Sequence, residues 1–125
     1  MQEVKAEGAP KPVGPYSQAL IAAGLVFCSG QIPLEAASGR LVEGDIRAQA
    51  RTALKNLAEV LRAAGSGLDK VVKVTVYLAD LADFQAFNEV YQEFFRAPYP
   101  ARTTVEVKGL PRGARIEVDA IALAR

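Results

Sequence analysis

Two charged residues near the C-terminal end, Arg102 and Glu117, carry the side chains that an acid–base site without a metal would need. A guanidinium can hold a carboxylate through two parallel hydrogen bonds. A glutamate can accept a proton or orient a water molecule, and burial raises its pKa toward a useful range. Their spacing alone is weak support, because most Arg and Glu side chains on strands are solvated or salt-bridged.

Side-chain alternation predicts where these residues point. In a strand predicted at residues 102–108, the even-numbered side chains, including Arg102 and Thr104, are expected on the sheet face that no helix covers. In a strand predicted at residues 115–123, the even-numbered positions are apolar, so Glu117 is expected on the uncovered face as well. The sequence therefore predicts that Arg102 and Glu117 project from the same face.

Four further residues are candidates for lining a pocket. Asn88 lies on the aromatic side of a predicted helix, where a buried amide would need either a ligand or a backbone group as its partner. Tyr16 follows a Gly-Pro pair at a strand start, where its ring could close over a pocket or pack in the core or an interface. Ser29 and Gly30 end a strand, and a glycine would let backbone approach a ligand closely.

Composition excludes several other kinds of chemistry. The chain has no histidine and one cysteine, so neither a histidine-activated serine nor a common metal site is expected, and no cofactor is predicted. The 15 basic and 14 acidic residues form no basic cluster, which argues against nucleic acid as a partner. The apolar runs are too short to span a membrane and nothing resembles a secretion signal, so the predicted compartment is the cytoplasm.

Hydrophobic periodicity predicts one domain over residues 1–125, with six strands and two helices. A helix is expected from Asp45, with Gly65 as its C-terminal cap, and a second helix after Asp83 as its N-cap. Both helices should cover one face of a sheet, and the mixed uncovered face predicts a homo-oligomer. The predicted strands cover residues 3–6, 16–22, 25–31, 71–78, 102–108 and 115–123, and on the fourth the even-numbered residues are expected to face the helices.

Several short segments together resemble the RidA/YjgF family of reactive-intermediate deaminases. The resemblance runs over nearly the whole chain and is strongest at the Pro-Ala-Arg sequence that ends in Arg102 and at the Ile-Glu-Val around Glu117. The matching segments are GPYSQA at residues 14–19, SGQIP at 29–33, FNEVY at 87–91, YPAR at 99–102, VEV at 105–107, LP at 110–111 and IEV at 116–118.

The resemblance implies an α+β, chorismate-mutase-like fold, with a mixed six-stranded sheet, two helices on one face and a last strand inserted beside the strand that follows the first helix. It also implies a homotrimeric barrel with pockets between subunits. The implied reaction is metal-free hydrolysis of 2-imino acids, such as 2-iminobutanoate and 2-iminopropanoate, to 2-oxo acids and ammonia. Arg102 would bind the substrate carboxylate and Glu117 would position the water.

The resemblance further implies that Tyr16, Ser29, Gly30 and Asn88 line the pocket. Position 104 is commonly cysteine in the family and is Thr104 here, which leaves the role of that side chain open. Two other functions stay open at this point. The first is a binding protein that senses a small carboxylate such as a 2-oxo acid, and the second, suggested by an older family label, is an endoribonuclease that inhibits translation.

Overall fold

A computed structural model describes the chain from Met1 to Arg125. Two helices, α1 (Ile46–Ala63) and α2 (Phe84–Phe94), pack on one face of a six-stranded sheet. Neither helix is long and apolar enough to cross a membrane. The strands are β1 (Gln2–Val4), β2 (Ala19–Ala22), β3 (Leu25–Gln31), β4 (Val71–Leu78), β5 (Ala101–Glu106) and β6 (Ile116–Leu123).

The strand order is β1-β2-β3-β6-β4-β5, so the last strand lies between β3 and β4. β6 is antiparallel to both of these neighbours, whereas β4 and β5 are parallel and are joined through α2. β2 and β3 form a hairpin, whose turn places Ala23 and Gly24 in the left-handed region at φ 53° and 75°. The mixed α+β sheet and the inserted last strand are both confirmed.

α1 forms where the sequence predicts it. The side chain of Asp45 accepts a hydrogen bond of 3.0 Å from the backbone N–H of Ala48 and so satisfies one free donor of the first turn. Past the end of the helix, Gly65 adopts φ +79°, a conformation that costs a residue with a Cβ more than it costs glycine. One apolar stripe of the helix lies against the sheet, as the prediction that this helix covers a sheet face requires. Its buried residues are Ile46, Ala50, Ala53, Leu54, Leu57, Val60 and Leu61.

α2 begins differently from the prediction. Asp83 occupies the N-cap position, but its side chain makes no capping hydrogen bond. It instead pairs with Arg115, whose Nη2 lies 3.2 Å from Oδ1. The capping bond in this region belongs to Asp80, which accepts from the N–H of Ala82 in the short 3₁₀ turn before α2. Asp83 therefore ties the start of α2 to the segment that leads into β6.

The face assignments of the strands are right for β6 and partly wrong for β4. In β6 the even-numbered residues are buried under the helices, as predicted. In β4 the register with β6 shifts between Val71 and Lys73, and this irregularity puts Val71 in the core and leaves Val72 42% exposed. The prediction that Val72 faces the helices is therefore wrong, whereas Val74, Val76 and Leu78 are buried as expected.

The assignment for β5 is inverted. Arg102 pairs with Val74 and Thr104 with Val76, and both partners are core residues that lie under the helices. Because paired residues of neighbouring strands share a face, Arg102 and Thr104 lie on the helix-covered side. The prediction took the apolar Val105 to face the helices, but Val105 lies on an edge strand and is 38% exposed. Glu117 pairs with Tyr77 on the uncovered face, as predicted.

The uncovered face is half apolar and half polar. Phe27 and Leu123 stay exposed there, beside the partly buried Ile121. Tyr77 donates a hydrogen bond of 3.1 Å to the Asp119 carboxylate on the neighbouring strand. The predicted oligomer would cover this face. The structure of a single chain does not test that prediction.

The core predicts a clear contrast between two leucines. Leu57 is fully buried in α1, and Leu57→Ala should lower the free energy of unfolding by about 2–5 kcal/mol through lost burial and a residual cavity. Leu81 is 46% exposed, so the same substitution there should change it by less than about 1 kcal/mol. Urea unfolding at one fixed protein concentration measures both, and equal losses would contradict the packing described.

Candidate active site

Arg102 lies on the edge strand β5, beneath the aromatic side of α2. Its guanidinium carbon sits 5.7, 5.3 and 4.6 Å from the ring centroids of Phe84, Phe87 and Tyr91. These distances fall within the range of cation–π attraction. The rings also exclude water from one side of the cation, which strengthens any hydrogen bond that it makes to an anion.

Asn88 fixes the orientation of this arginine. Nη2 of Arg102 donates a hydrogen bond of 2.7 Å to Oδ1 of Asn88 on α2. A guanidinium carries five N–H donors in a rigid fork, so several stay available for a bound carboxylate. Arg102, Asn88 and Tyr91 also line one cavity, together with Gln92, Tyr99 and Pro100. We call Arg102, Asn88 and Tyr91 the arginine half-site.

One hydroxyl group of the arginine half-site and one on the same strand as Arg102 have no hydrogen-bond partner. They are Oη of Tyr91 and Oγ1 of Thr104, and both atoms are buried. A buried hydroxyl without a partner costs free energy, so such groups are uncommon in folded proteins. Thr104 does not line the cavity that Arg102 lines. Its predicted role in binding substrate stays a prediction.

Glu117 belongs to a second group of residues, on the other face of the sheet. Its side chain crosses from β6 to β3 and lies directly over Gly30. A Cβ built on Gly30 would lie 2.8 Å from Cδ of Glu117 and closer still to Oε2. Glycine is therefore required at position 30 for the carboxyl to occupy this place.

The surroundings of Glu117 suit proton transfer. Burial raises the pKa of the Glu117 carboxyl above its ordinary value, and the nearby charge of Asp119 raises that pKa further. Tyr16, Ser29, Gly30 and Glu117 line a cavity of about 390 Å³ and are here called the glutamate half-site. The remaining lining residues of this cavity are Pro10, Lys11, Val13, Gln18, Gln31, Ile32, Leu34, Pro111 and Arg112.

Two polar side chains of the glutamate half-site are held by local backbone. Oη of Tyr16 accepts a hydrogen bond of 3.3 Å from the N–H of Val13, while the ring stays 48% exposed. The hydroxyl of Ser29 donates to the carbonyl of Ser17 at 2.6 Å. Since that bond uses the only proton of the hydroxyl, Ser29 can offer a ligand only its oxygen lone pairs in this arrangement.

The predicted site residues therefore divide into two half-sites that one chain does not bring together. Arg102 pairs with Val74, which pairs with Ala120, three residues beyond Glu117. Two strand spacings and three residues put the Cα atoms of Arg102 and Glu117 roughly 14 Å apart, with their side chains on opposite faces. The prediction that they share one face is wrong, because β5 aligns with the buried positions of β4.

Three residues near the half-sites were not predicted from the sequence. Lys11 and Arg112 belong to irregular segments but line the cavity that holds Glu117. Gln18 is buried, accepts from the N–H of Ala6 and donates to the carbonyls of Ala6 and Pro10. A glutamine at the start of a predicted strand is the only sequence signal for this anchor.

The single cysteine does not supply a nucleophile to either half-site. Burial, followed by the nearby charge of Asp119, raises the pKa of Cys28 to about 12, so its thiol stays protonated near neutral pH. No group of three or more His, Cys, Asp or Glu side chains is arranged to hold a metal ion. Glu117 is the one carboxyl group among the residues that line the cavity of the glutamate half-site.

Comparisons with known proteins agree over nearly the whole chain. A family model described as "Endoribonuclease L-PSP" matches residues 6–124. A RutC family protein of Pyrococcus horikoshii is 52% identical over 116 residues, which cover 93% of this chain and 92% of that protein. The human protein named 2-iminobutanoate/2-iminopropanoate deaminase is 46% identical over 115 residues, which cover 92% and 84%.

Similarity to solved structures is equally extensive. The crystal structure described as E. coli TdcF with bound serine superposes with a TM-score of 0.94 at 38% sequence identity. The matched region covers 98% of each chain. The shared fold is therefore established by both sequence and structure.

The contact between Glu117 and Gly30 generates a prediction for the glutamate half-site. Gly30→Ala should displace the Glu117 carboxylate by more than about 1 Å, because a Cβ contact shorter than van der Waals distance cannot persist. Gly109→Ala is the matched control, since a Cβ there meets nothing within 4 Å. Crystal structures of both variants measure the shift, and an unmoved Glu117 in Gly30→Ala would contradict the geometry.

Proposed function

Because the chain belongs to the RidA/YjgF family, described as Endoribonuclease L-PSP, we propose that it hydrolyses 2-imino acids to 2-oxo acids and ammonia. 2-Iminobutanoate and 2-iminopropanoate are the proposed substrates, as the name of the human relative suggests. The observation that carries the proposal is the Glu117 carboxyl, which lies over Gly30 in a cavity that contains no other carboxyl group.

Arg102 would hold the carboxylate of the substrate. Its fork can form two parallel hydrogen bonds to that group while Asn88 occupies one N–H of Nη2. The aromatic rings of Phe84, Phe87 and Tyr91 keep the guanidinium from turning freely. Because the arginine is already held in place, binding would cost little conformational entropy beyond that of the substrate itself, which favours a reactive geometry. The serine bound to E. coli TdcF also carries a carboxylate, which agrees with this role.

Glu117 would act on the water. The imine carbon is electrophilic, and more so when its nitrogen is protonated, so no covalent nucleophile is needed. As the water oxygen bonds to that carbon, the Glu117 carboxylate accepts a water proton, and the resulting tetrahedral adduct carries a hydroxyl and an amino group. Glu117 then returns the proton to the nitrogen. As the C–N bond breaks and ammonia leaves, the hydroxyl of the adduct gives its proton to the Glu117 carboxylate, so the carbonyl of the 2-oxo acid forms. Glu117 finally passes this proton to the departing ammonia or to water. A pKa raised toward neutrality suits a group that both accepts and donates.

The proposed site needs two copies of the chain. Since Arg102 and Glu117 lie on opposite faces of the sheet, one small substrate can contact both only if they come from different subunits. We therefore propose that the arginine half-site of one subunit meets the glutamate half-site of its neighbour. The uncovered face, with Phe27, Ile121 and Leu123, supplies apolar area for such contacts. We propose three subunits, as the resemblance to the family implies.

The other predicted pocket residues take supporting roles in this proposal. Tyr16 has an exposed ring that can close over the substrate, and Ser29 and Gly30 form the wall beneath Glu117. Thr104 lies on the same face and strand as Arg102, where its hydroxyl lacks a partner. The cytoplasm stays the predicted compartment.

The proposed reaction predicts different losses for the two charged residues. Arg102→Ala should reduce kcat/KM for 2-iminobutanoate by about 100-fold or more through loss of a bidentate contact. Glu117→Gln should reduce kcat by about 10²–10⁴-fold and leave the affinity for 2-oxobutanoate within about threefold, since general acid–base catalysis contributes that much. The assay generates 2-iminobutanoate in situ, traps it with semicarbazide and records how far the protein lowers trapping.

Arg62→Ala and Glu35→Gln are the matched controls, because both side chains are exposed and line neither half-site. Full activity in Arg102→Ala would refute the proposal. Binding of 2-oxobutanoate without any turnover by the unmodified protein would favour the non-catalytic binding function instead. RNA cleavage that survives Arg102→Ala in highly purified protein would favour the endoribonuclease function.

A further inference from the structure

Two cations line the cavity of the glutamate half-site without a carboxylate partner. They are Lys11, in the irregular segment before β2, and Arg112, in the 3₁₀ turn Pro111–Gly113 before β6. The four ion pairs of the chain involve other residues, on the helices and at Arg115. Glu7 lies along the neighbouring cavity, which Lys11 and Arg112 also line, but it forms no ion pair with either of them.

Local structure holds the Arg112 guanidinium and the backbone beside Lys11 in place. Arg112 has φ +59°, a left-handed conformation that is unusual for a residue with a Cβ, and its Nη1 donates a hydrogen bond of 2.6 Å to the carbonyl of Gly39. The segment that carries Lys11 is anchored by Gln18, which donates a 2.9 Å hydrogen bond to the carbonyl of Pro10. The Arg112 guanidinium is thus held at the wall of the cavity, while the exposed Lys11 side chain extends from a backbone that is anchored at Pro10.

The charges of this cavity exceed what a monocarboxylate substrate needs. Glu117 is the only acidic side chain among the lining residues, against the two cations Lys11 and Arg112. In the proposed reaction, the carboxylate beside the imine carbon is already taken by Arg102 of the neighbouring subunit. Unpaired cations that face a bound ligand raise its affinity when the ligand supplies a second negative group.

We propose that Lys11 and Arg112 select 2-imino acids that carry a second carboxylate, the imines of dicarboxylic amino acids such as 2-iminosuccinate and 2-iminoglutarate. This inference rests on the proposed function and specifies its substrate class. The second carboxylate would lie at the wall of the cavity between the two cations. Arg112 keeps N–H donors free beyond the one that Gly39 accepts, and Lys11 supplies a mobile ammonium.

The test compares kcat/KM for 2-iminoglutarate and 2-iminobutanoate, each generated in situ by a flavin-dependent amino-acid oxidase and followed by semicarbazide trapping. The unmodified protein should prefer 2-iminoglutarate. In the double variant Lys11→Gln, Arg112→Gln, the ratio of the two kcat/KM values should fall by about tenfold, through loss of two charge-assisted contacts in a partly exposed site. Added salt should lower the ratio for the unmodified protein as well.

Lys5→Gln and Arg96→Gln serve as controls, since both residues are exposed and line neither half-site, and they should leave the ratio unchanged. Arg112→Lys keeps the charge and should retain most of the preference even if the contact with Gly39 is lost. Thermal unfolding of each variant shows whether the fold persists.

The outcomes separate this inference from the function on which it rests. The inference would be overturned if the protein hydrolyses 2-iminobutanoate but shows no preference for 2-iminoglutarate, and if the double substitution leaves the ratio of the two kcat/KM values unchanged. The proposed function would still stand. If no imine is hydrolysed, calorimetry with 2-oxoglutarate and 2-oxobutanoate decides the selectivity alone. A preference for 2-oxoglutarate that the double variant loses would support it, and equal affinities would overturn it.

Discussion

The close approach of the Glu117 carboxyl to the backbone of Gly30 depends on β6 lying beside β3, and the rest of the sheet accommodates that pairing. An antiparallel last strand between β3 and β4 lets alternate residues serve two purposes. Ile116 and Val118 enter the core beneath the helices, while Glu117 points to the other face. Any side chain at position 30 would occupy the space of the carboxyl. One glycine thus links the topology of the sheet to the position of the Glu117 carboxyl.

Arg102 obeys a different constraint, because it lies on the edge strand and under α2. Its guanidinium packs against the aromatic side of that helix, and Asn88 fixes the direction of its fork. A cation, in place of an apolar side chain, makes the contacts with the aromatic rings here. It also keeps N–H donors free for an anion. Strand pairing puts Arg102 and Glu117 on opposite faces of the sheet with their Cα atoms roughly 14 Å apart, so the proposed chemistry needs a second copy of the chain.

The sequence predicts the parts of this structure whose two faces differ sharply in burial. α1 shows a continuous apolar stripe and β6 a strict alternation, and both are as expected because the core lies on one side only. β5 fails this test, since an edge strand with Thr103, Thr104 and Val105 has no dominant apolar face. The irregularity at Val71 arises because the pairing register between β4 and β6 shifts there. The local sequence of β4 does not reveal how that strand pairs with β6. Lys11 and Arg112 reach one cavity from distant irregular segments, and no periodicity relates them.

The shared site is the central claim, and subunit complementation tests it most directly. Arg102→Ala and Glu117→Gln chains are unfolded, mixed in equal amounts and refolded together, and their deaminase activity is compared with that of each variant alone. Random assembly gives about a quarter of sites an intact arginine from one chain and an intact glutamate from its neighbour. If the site is shared, the mixture should recover about a quarter of the wild-type activity. A mixture no more active than the separate variants would contradict it.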